Sequence, residues 1–415
     1  MLLGVPIAIS LALASIAGIL FSPFDIPWTV VAQRFFTAVD SFALITIPFF
    51  MLAGELMMTG SMARRILNFA AACVGWLVGG LAQVSTLASM FFAGISGSGA
   101  ADTAAVGKIM IPSMEKKGYD KGFAASTVAT AGTIAVVIPP SIPMIVYGVT
   151  AGVSIGALFT AGIIPGIIMG LSIMLLNYFI TRKKGYDPTV GKFEFPQFWK
   201  ALKEGIWALL LPLIIIVGIR AGIFTPTESA AIAAFYALIV GMFVYRDLKL
   251  KDLPRVFLRA GITSGMVIFI IAAANLFGWL MTAEQIPHKM TNLIMDMTSN
   301  PYVILLLVNI VLLIAGCFLN ASAAITILTP LLLPLVQSVG IDPVYFGLVM
   351  VVNLAIGLIT PPVGLDLYIV QGIAEMDFGR LARAIFPFIV LLIADLLLFT
   401  YVPQIWMWLP ELLGP

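Results

Sequence analysis

The chain has 415 residues, of which 61% are hydrophobic and only 10% are charged, and its net charge at pH 7 is +2. Soluble domains carry about 25% charged residues, so the excess apolar surface must face lipid rather than water. The near-neutral charge excludes the basic field that nucleic-acid binding requires. The two cysteines, Cys73 and Cys317, lie far apart in apolar stretches, which disfavours a disulfide framework.

Apolar stretches of membrane-spanning length recur along almost the whole chain and predict a polytopic all-α membrane protein. The first stretch, residues 2–20, has no preceding basic flank and no small-residue cleavage site, so we interpret it as a retained spanning helix. Further spanning helices are predicted at 41–59, 123–149, 155–181, 205–222, 228–245, 260–283, 345–371 and 383–403.

Two basic loops determine the predicted orientation of these helices. Residues 182–203 contain six lysines and arginines, and residues 246–259 contain five. Short loops rich in Lys and Arg stay in the cytoplasm, so we expect a cytoplasmic N-terminus and a periplasmic C-terminus. Between the loops, the spacing of Thr225 and Glu228 predicts a helix capping box rather than a functional carboxylate.

Two stretches of the chain, 94–140 and 316–362, align with each other at a shift of 222 residues without a gap. The clearest matches are glycines, prolines and aspartates, which commonly end or begin helices. The matched pairs are Gly94 and Gly316, Ala101 and Ala323, Pro112 and Pro334, Gly118 and Gly340, Asp120 and Asp342, Ile134 and Ile356, and Pro139-Pro140 and Pro361-Pro362. Lys116, Lys117 and Lys121 follow the first unit, whereas the corresponding residues 337–345 hold no basic residue. The charges therefore predict that the two repeats are inverted, a plan that recurs in secondary transporters.

Within each repeat, the topology closes only if one apolar stretch enters the membrane and returns. These stretches are 80–114, with its polar tip at 96–99, and 301–336, with its tip at 320–322. Each arm has about 16 residues, or roughly 24 Å of helix, which is too short for a hydrocarbon core of about 30 Å. We therefore predict two re-entrant hairpins, each preceded by an interfacial helix, at 62–78 and 284–300.

The predicted organisation alternates static and transporting parts of the chain. Residues 1–79 and 182–300 are predicted to form scaffold helices, each ending in an interfacial arm, and the latter also includes the cytoplasmic loops. Residues 80–181 and 301–415 are predicted to form the two repeats, each with a hairpin and its transport helices.

The candidate binding residues lie at four related interruptions, namely the two hairpin tips and the proline pairs of two broken helices. Interrupted helices free backbone carbonyls for a cation and N–H groups for an anion. Candidate substrate ligands are Ser96, Gly97, Ser98, Thr133, Ser141, Asn353 and Thr360. Candidate cation ligands are Ser98, Gly99, Asp102, Thr103, Thr130, Gly132, Asn320, Ser322, Gly357, Gly364 and Asp366. The alternative is that small residues serve helix packing and that the hydroxyls bond to their own backbone.

Several longer motifs resemble one transporter family over essentially the whole chain. They are GVPIAISLAL, PFFMLAGELMMTG, GISGSGAADTAAVG, IPPSIPMIVYG, GIFTPTESAA, TPPVGLDLY and PQIWMWLPELL. Together they resemble the large membrane subunit, of DctM type, of tripartite ATP-independent periplasmic (TRAP) transporters.

The resemblance implies a function that residue spacing alone does not define. Such a protein would import carboxylates such as C4-dicarboxylates or sialic acid across the bacterial inner membrane, with sodium ions as the coupling cations. It would act with a small membrane subunit and a periplasmic substrate-binding protein. An elevator motion of the hairpin-bearing part against the scaffold is expected.

Four further functional classes can be weighed against this expectation. A primary pump is disfavoured because Gly107-Lys108 is followed by Ile109 and no phosphate-binding loop is formed. Gly94 to Gly97 resembles the serine motif of rhomboid-type intramembrane proteases, which needs a histidine, and His288 is the only one in the chain. A channel is the third class, and a sodium-coupled dicarboxylate carrier that acts alone is the fourth.

Overall fold

The computed structural model describes residues 5–24, 26–186 and 192–413, and within these ranges it contains nineteen α-helices and no β-strand. The first nine helices are α1 Ile7–Phe21, α2 Thr29–Val39, α3 Thr46–Thr59, α4 Met62–Val74, α5 Gly80–Ser96, α6 Gly99–Lys116, α7 Lys121–Thr133, α8 Ile142–Ala151 and α9 Ile155–Lys184. The others are α10 Phe195–Arg220, α11 Pro226–Ile239, α12 Leu253–Ala283, α13 Ile286–Met297, α14 Pro301–Phe318, α15 Ala321–Ser338, α16 Pro343–Gly357, α17 Leu365–Ala374, α18 Phe378–Tyr401 and α19 Gln404–Leu413.

The predicted multi-pass architecture is confirmed, although several helix boundaries differ. In the described ranges, eight helical segments are long and apolar enough to cross a membrane. Helix α10 begins at Phe195 rather than at 205, and α12 begins at Leu253 rather than at 260. Each of these helices has a proline in its first turn, a start signal that the hydropathy pattern does not include. Helices α2 and α19 were not predicted, because with 11 and 10 residues they are too short for a spanning pattern.

Both predicted hairpins are interrupted at their tips. Helices α5 and α6 are separated by Gly97 and Ser98, and α14 and α15 by Leu319 and Asn320. Gly97 has a φ of +59°, a conformation that favours glycine. Ser98 caps α6, and Asn320 caps α15 by accepting a 2.8 Å hydrogen bond from the backbone N–H of Ala323. The arms have 17 or 18 residues, slightly more than predicted, and are about 26–27 Å long.

The two predicted broken helices are also interrupted. Helix α7 ends at Thr133, and a 3-10 turn and the cis bond between Pro139 and Pro140 separate it from α8. Helix α16 ends at Gly357, and the cis bond between Pro361 and Pro362 separates it from α17. Stretches 123–149 and 345–371 are therefore pairs of short helices, because proline pairs remove the N–H donors that a continuous helix needs.

The helices pack in two groups. Helices α1–α4 and α10–α13 contact one another extensively, and we call them the outer group. Helices α5–α9 and α14–α19 form the inner group, in which each hairpin packs against the broken helices. The groups meet mainly where α4 contacts α5 and where α12 and α13 contact α15, so each hairpin touches the outer group.

The 222-residue offset recurs in the backbone itself. Gly118 and Gly340 both have positive φ angles, of +83° and +78°. Asp120 and Asp342, two residues later, cap α7 and α16. The short sequence matches therefore mark the same turn, followed by the same helix start, in both halves.

Candidate functional site

The start of α6 lies directly against the end of α7. A methyl group added to Gly132 would lie 1.9 Å from Oγ1 of Thr103 and 3.2 Å from the carbonyl oxygen of Gly99. Only glycine leaves room at position 132, and its absent side chain lets α6 and α7 of the first repeat approach closely. The hairpin tip and the first broken helix, which were predicted separately, therefore contribute to one site.

Asp366 brings the second half of the chain into the same place. A methyl group on Gly99 would lie 3.2 Å from Oδ2 of Asp366 and 3.2 Å from the carbonyl oxygen of Gly132. Asp366 lies in the first turn of α17, and its backbone N–H donates a 3.0 Å hydrogen bond to the carbonyl of Leu358. Thr103 is its neighbouring hydroxyl.

Asp102 adds a second buried carboxylate. Its exposed fraction is 1%, Ser89 lies beside it, and Asp366 is close enough to interact with it electrostatically. Within the described residues, the oxygens of Asp102 and Asp366 and the hydroxyl oxygen of Thr103 form no hydrogen bond of standard geometry, and the only hydroxyls beside the two carboxylates are those of Ser89 and Thr103. Buried polar atoms are nearly always paired, and acids in membrane-spanning segments usually mark ion or proton pathways.

The donor set of this cluster consists of oxygen atoms alone. Hard cations take carboxylate, hydroxyl and carbonyl oxygens as ligands, whereas nitrogen and sulfur suit softer metals. Carbonyl oxygens of interrupted helices can replace the hydration shell of an alkali ion. The residues Gly99, Asp102, Thr103, Gly132 and Asp366 therefore fit a sodium ion, and we call them the acidic cluster. The carboxylates also fit a proton.

The first hairpin tip also contacts the start of α8. The carbonyl of Gly97 accepts a 3.2 Å hydrogen bond from the N–H of Ile142. The Ser141 hydroxyl donates to the carbonyl of Val136 at 2.6 Å and accepts from the N–H of Met144 at 3.2 Å. The structure thus brings the predicted substrate residues Ser96, Gly97, Ser98 and Ser141 together at the tip.

Three of the predicted hydroxyl ligands bond to their own helices. Thr130 donates to the carbonyl of Ser126, Thr133 to that of Thr130, and Thr360 to that of Ile356, each at 2.7 Å. Each hydroxyl hydrogen is therefore used, and only oxygen lone pairs remain for a ligand. These contacts agree with the alternative stated above, in which the threonine hydroxyls form hydrogen bonds to nearby backbone carbonyls rather than to a ligand.

The predicted residues of the second repeat form a different arrangement. A methyl group on Gly357 would lie 2.4 Å from the carbonyl carbon of Gly316, so α14 and α16 meet backbone to backbone. Asn320 and Ser322 lie at the tip, and Gly364, with a φ of +58°, lies against the carbonyls of Leu358 and Thr360, which follow α16. Gly357 and Gly364 border the interruption that Asp366 follows, whereas Asn320 and Ser322 lie at the second hairpin tip.

Asn353 belongs to a polar network that the sequence did not indicate. Its amide donates to Oδ1 of Asn309 at 3.0 Å, and the amide of Asn309 donates to the Thr400 hydroxyl at 3.1 Å. The only available signal was an amide inside the otherwise apolar α14. Ser89, beside Asp102, was also missed, because α5 carries several other small hydroxyl residues and nothing in the sequence distinguishes this one.

The serine–histidine arrangement that a protease needs is not formed in the described part of the chain. Ser96 is buried at the hairpin tip, and its hydroxyl contacts the backbone of Ser98. His288 is exposed on α13.

Comparisons with known proteins agree with this architecture. The family model described as "Tripartite ATP-independent periplasmic transporter, DctM component" matches residues 1–405. The chain is 47% identical over 405 residues to the isethionate TRAP transporter permease protein DctMQ of Oleidesulfovibrio alaskensis, covering 98% of this chain but 64% of that protein. It is 44% identical over 396 residues to the C4-dicarboxylate TRAP transporter large permease protein DctM of Pseudomonas aeruginosa, covering 95% of this chain and 92% of that protein.

A solved structure shows the same fold. The YdaH transporter of Alcanivorax borkumensis superimposes with a TM-score of 0.65 at 16% sequence identity, and the match covers 94% of this chain and 89% of that one. At this identity the likeness concerns the fold alone. It confirms the predicted all-α class with hairpins and broken helices.

Proposed function

Because the chain belongs to the DctM component family of tripartite ATP-independent periplasmic transporters, and is thus a large permease subunit, we propose that it couples sodium entry to the import of a small organic anion. The family predicted from the sequence motifs is confirmed. The relatives named above are permeases, so the transport class holds and the protease alternative does not.

The acidic cluster is the observation that carries the proposal. Two buried carboxylates that form no hydrogen bond of standard geometry, with only the Ser89 and Thr103 hydroxyls beside them, lie at backbone carbonyls from two interrupted helices. Leaving such charges uncompensated within a membrane costs several kcal/mol, and a bound cation removes that cost. Since Asp366 comes from the second repeat and Gly99 from the first, sodium binding would also join the two halves.

The anion would bind at the adjacent hairpin tip. Helices α6 and α8 both begin there, with Ser98 and Ser141 as their caps, and helix N-termini favour negative charge. We propose a small carboxylate, with a C4-dicarboxylate as the first candidate and sialic acid as a larger one. The name of the isethionate relative adds a two-carbon sulfonate.

The two packing groups support an elevator motion. The chain passes between the outer and inner groups after α4, α9 and α13. We propose that the outer group is the scaffold and that the inner group moves with both hairpins. With the basic loops in the cytoplasm, the N-terminus would also be cytoplasmic and the C-terminus periplasmic.

The proposed partners are a small membrane subunit and a periplasmic binding protein. The isethionate relative is named DctMQ, and this chain spans 64% of its length, which leaves room there for a second component. The competing proposal is a carrier that acts alone.

Reconstituted uptake tests the proposal. The chain and its small subunit are placed in liposomes, and the cognate binding protein is added with labelled succinate, isethionate or N-acetylneuraminate in turn. We expect uptake of one probe only under an inward sodium gradient. Uptake driven equally by a proton gradient without sodium would contradict sodium coupling, and uptake without the binding protein would favour the stand-alone carrier.

A further inference from the structure

A second polar space lies between the two helix groups, away from the acidic cluster. It is a cavity of about 270 Å³ between α2 and α12 of the outer group and α8 and α15 of the inner group. Its polar side chains are Arg34, Thr150, Asn275, Thr282 and Thr326. We call it the Arg34 cavity. Among the described residues that line it there is no carboxylate, so Arg34 is their only charged side chain.

Arg34 is positioned by an aromatic ring and is not neutralised by an acid. Its guanidinium carbon lies 5.2 Å from the centroid of the Trp279 ring. The described ranges contain two ion pairs, Lys121 with Glu115 and Arg380 with Asp120, and neither involves Arg34.

Two acids lie on the same helices or at their ends, but neither lines the cavity. Glu284, just after α12, accepts a 2.6 Å hydrogen bond from the Ser22 hydroxyl. Asp40 follows α2 and is exposed. Arg34, itself an exposed residue, therefore contributes a positive charge to a cavity whose lining holds no compensating carboxylate.

The cavity reaches the elements that carry the candidate substrate residues. Thr326 lies one turn beyond the second hairpin tip, and its hydroxyl donates to the carbonyl of Ser322 at 2.8 Å. Thr150 lies at the end of α8, the helix that Ser141 begins. The cavity thus lies between Arg34 of the outer group and two inner-group elements, the end of α8 that is distant from Ser141 and the first half of α15.

The position of the cavity along α12 gives its side of the membrane. Trp279 follows Arg259, in the second basic loop region, by twenty residues of helix, or about 30 Å. The Arg34 cavity therefore lies at the opposite membrane face from the basic loops, which is the periplasmic face in the proposed orientation.

From this geometry we infer that the Arg34 cavity receives the carboxylate or sulfonate group of the incoming anion, with Arg34 as its counter-charge. This inference rests on the proposed function for its physiological role. Arginine presents a planar pair of N–H donors that match a carboxylate or a sulfonate in two hydrogen bonds. Trp279 lies against the guanidinium, and the Asn275 amide supplies a further hydrogen-bond donor. The hydroxyls of Thr150, Thr282 and Thr326 donate to their own helices, so they can only accept hydrogen bonds from hydroxyl groups of the anion.

Thiol-reactive probes test the cavity without requiring transport. In a Cys73→Ala, Cys317→Ala background, Asn275→Cys places a sensor in the lining. Anionic sulfonatoethyl and cationic trimethylammonioethyl methanethiosulfonate are then compared by their rates of reaction. We expect Arg34→Gln to lower the ratio of anionic to cationic rates by about tenfold, because one nearby charge acts oppositely on the two reagents.

Matched variants make the outcome decisive. Arg259→Gln removes an exposed charge from the far end of the same helix and should leave the ratio unchanged. Arg34→Lys keeps the charge and should preserve most of the ratio, which separates electrostatics from misfolding. An unchanged ratio in Arg34→Gln would overturn the inference.

Uptake by the reconstituted complex gives the second test, with the cysteines intact. For the probe that the wild-type protein transports, Arg34→Gln should raise KM about tenfold and leave the sodium dependence unchanged. If the wild-type protein shows no sodium-driven uptake, the proposed function fails, whereas the reagent ratio still tests the cavity. If wild-type uptake is normal and Arg34→Gln leaves KM unchanged, the cavity is not on the substrate route.

Discussion

The buried acids differ in their partners, and that difference separates candidate ion ligands from structural residues. Asp395 on α18 accepts a 2.6 Å hydrogen bond from Ser172 on α9, so it links two helices of the inner group. Asp102 and Asp366 form no hydrogen bond of that geometry, although the Ser89 and Thr103 hydroxyls lie beside them, and the cluster they form includes backbone carbonyls. All three acids are equally visible in the sequence. Only the fold shows which of them keep their oxygens available.

Gly132 offers a sharp test of the acidic cluster. In Gly132→Ala, the added methyl group would lie 1.9 Å from Oγ1 of Thr103, so the threonine must turn away from the cluster. We expect the sodium concentration for half-maximal uptake to rise at least tenfold. Overpacking should also lower the free energy of unfolding by about 1–3 kcal/mol.

Two further variants separate sodium binding from packing. Gly372→Ala, in α17, adds a methyl group where no atom lies within 4 Å, and should leave sodium activation unchanged. Adding Thr103→Ala to Gly132→Ala removes the clash and the proposed ligand together. Stability should then recover while the sodium requirement stays high; recovery of both would assign Thr103 a packing role only.

At the scale of elements, equivalent helices in the two repeats are joined by polar networks, although the residues that form the networks lie at different positions. In the first repeat, Thr127 of α7 donates to Asn177 of α9, which in turn donates to Thr86 of α5, each at 3.1 Å. In the second, the network of Asn353, Asn309 and Thr400 joins α16, α14 and α18. Each network ties a hairpin arm to a broken helix and to the helix that follows. The offset of 222 residues pairs Asn177 with Phe399, so sequence matching could not reveal this equivalence.

The equivalent helix caps differ in charge pairing, which gives a pH prediction. Burial alone would raise the pKa of Asp120, but hydrogen bonds from the N–H of Phe123 and from Arg380, together with the charge of Arg380, hold that pKa below its ordinary value. A lowered pKa stabilises the fold above pH 3.8, and this stabilisation is lost as the pH falls from there through the lower folded-state pKa. Asp120→Asn keeps the cap but loses the ion pair, so we expect it to cost about 0.5 kcal/mol at pH 7 and nothing near pH 2.

Asp342 supplies the matched control for this measurement. It caps α16 through the N–H groups of Val344 and Tyr345, and within the described residues it forms no ion pair. Asp342→Asn should therefore leave the thermal unfolding of the detergent-solubilised protein nearly unchanged at pH 7. Equal losses in Asp120→Asn and Asp342→Asn would mean that Arg380 contributes nothing measurable.

At the scale of the whole molecule, the sequence predicted where the helices are interrupted, but not which of these interruptions come together in space. Glycines, proline pairs and caps act locally, so both hairpins and both broken helices follow from residues close together in the chain. The approach of Asp366 to Gly99 joins residues more than 260 positions apart, and only tertiary packing determines it. The Arg34 cavity was missed for the same reason, since α2 is too short for a spanning pattern and its partners come from three distant helices.

Whether the inner group moves against the outer group can be tested with one disulfide. An added Cβ on Gly54 of α3 would lie 3.9 Å from the Cβ of Ser96 at the first hairpin tip, within the range of about 3.5–4.5 Å that disulfides span. In a background lacking Cys73 and Cys317, Gly54→Cys with Ser96→Cys should cross-link under copper phenanthroline. If transport requires the tip to leave α3, the oxidised protein should lose at least nine-tenths of its uptake.

The same preparation provides its own control. Reduction should restore uptake to the level of the untreated double variant, which removes any effect of the substitutions themselves from the comparison. Each single variant should be insensitive to the oxidant. If a fully cross-linked protein transports as fast as the same protein after reduction of the disulfide, α3 and the hairpin tip stay together throughout the cycle. The moving boundary would then have to lie elsewhere than between the outer and inner groups.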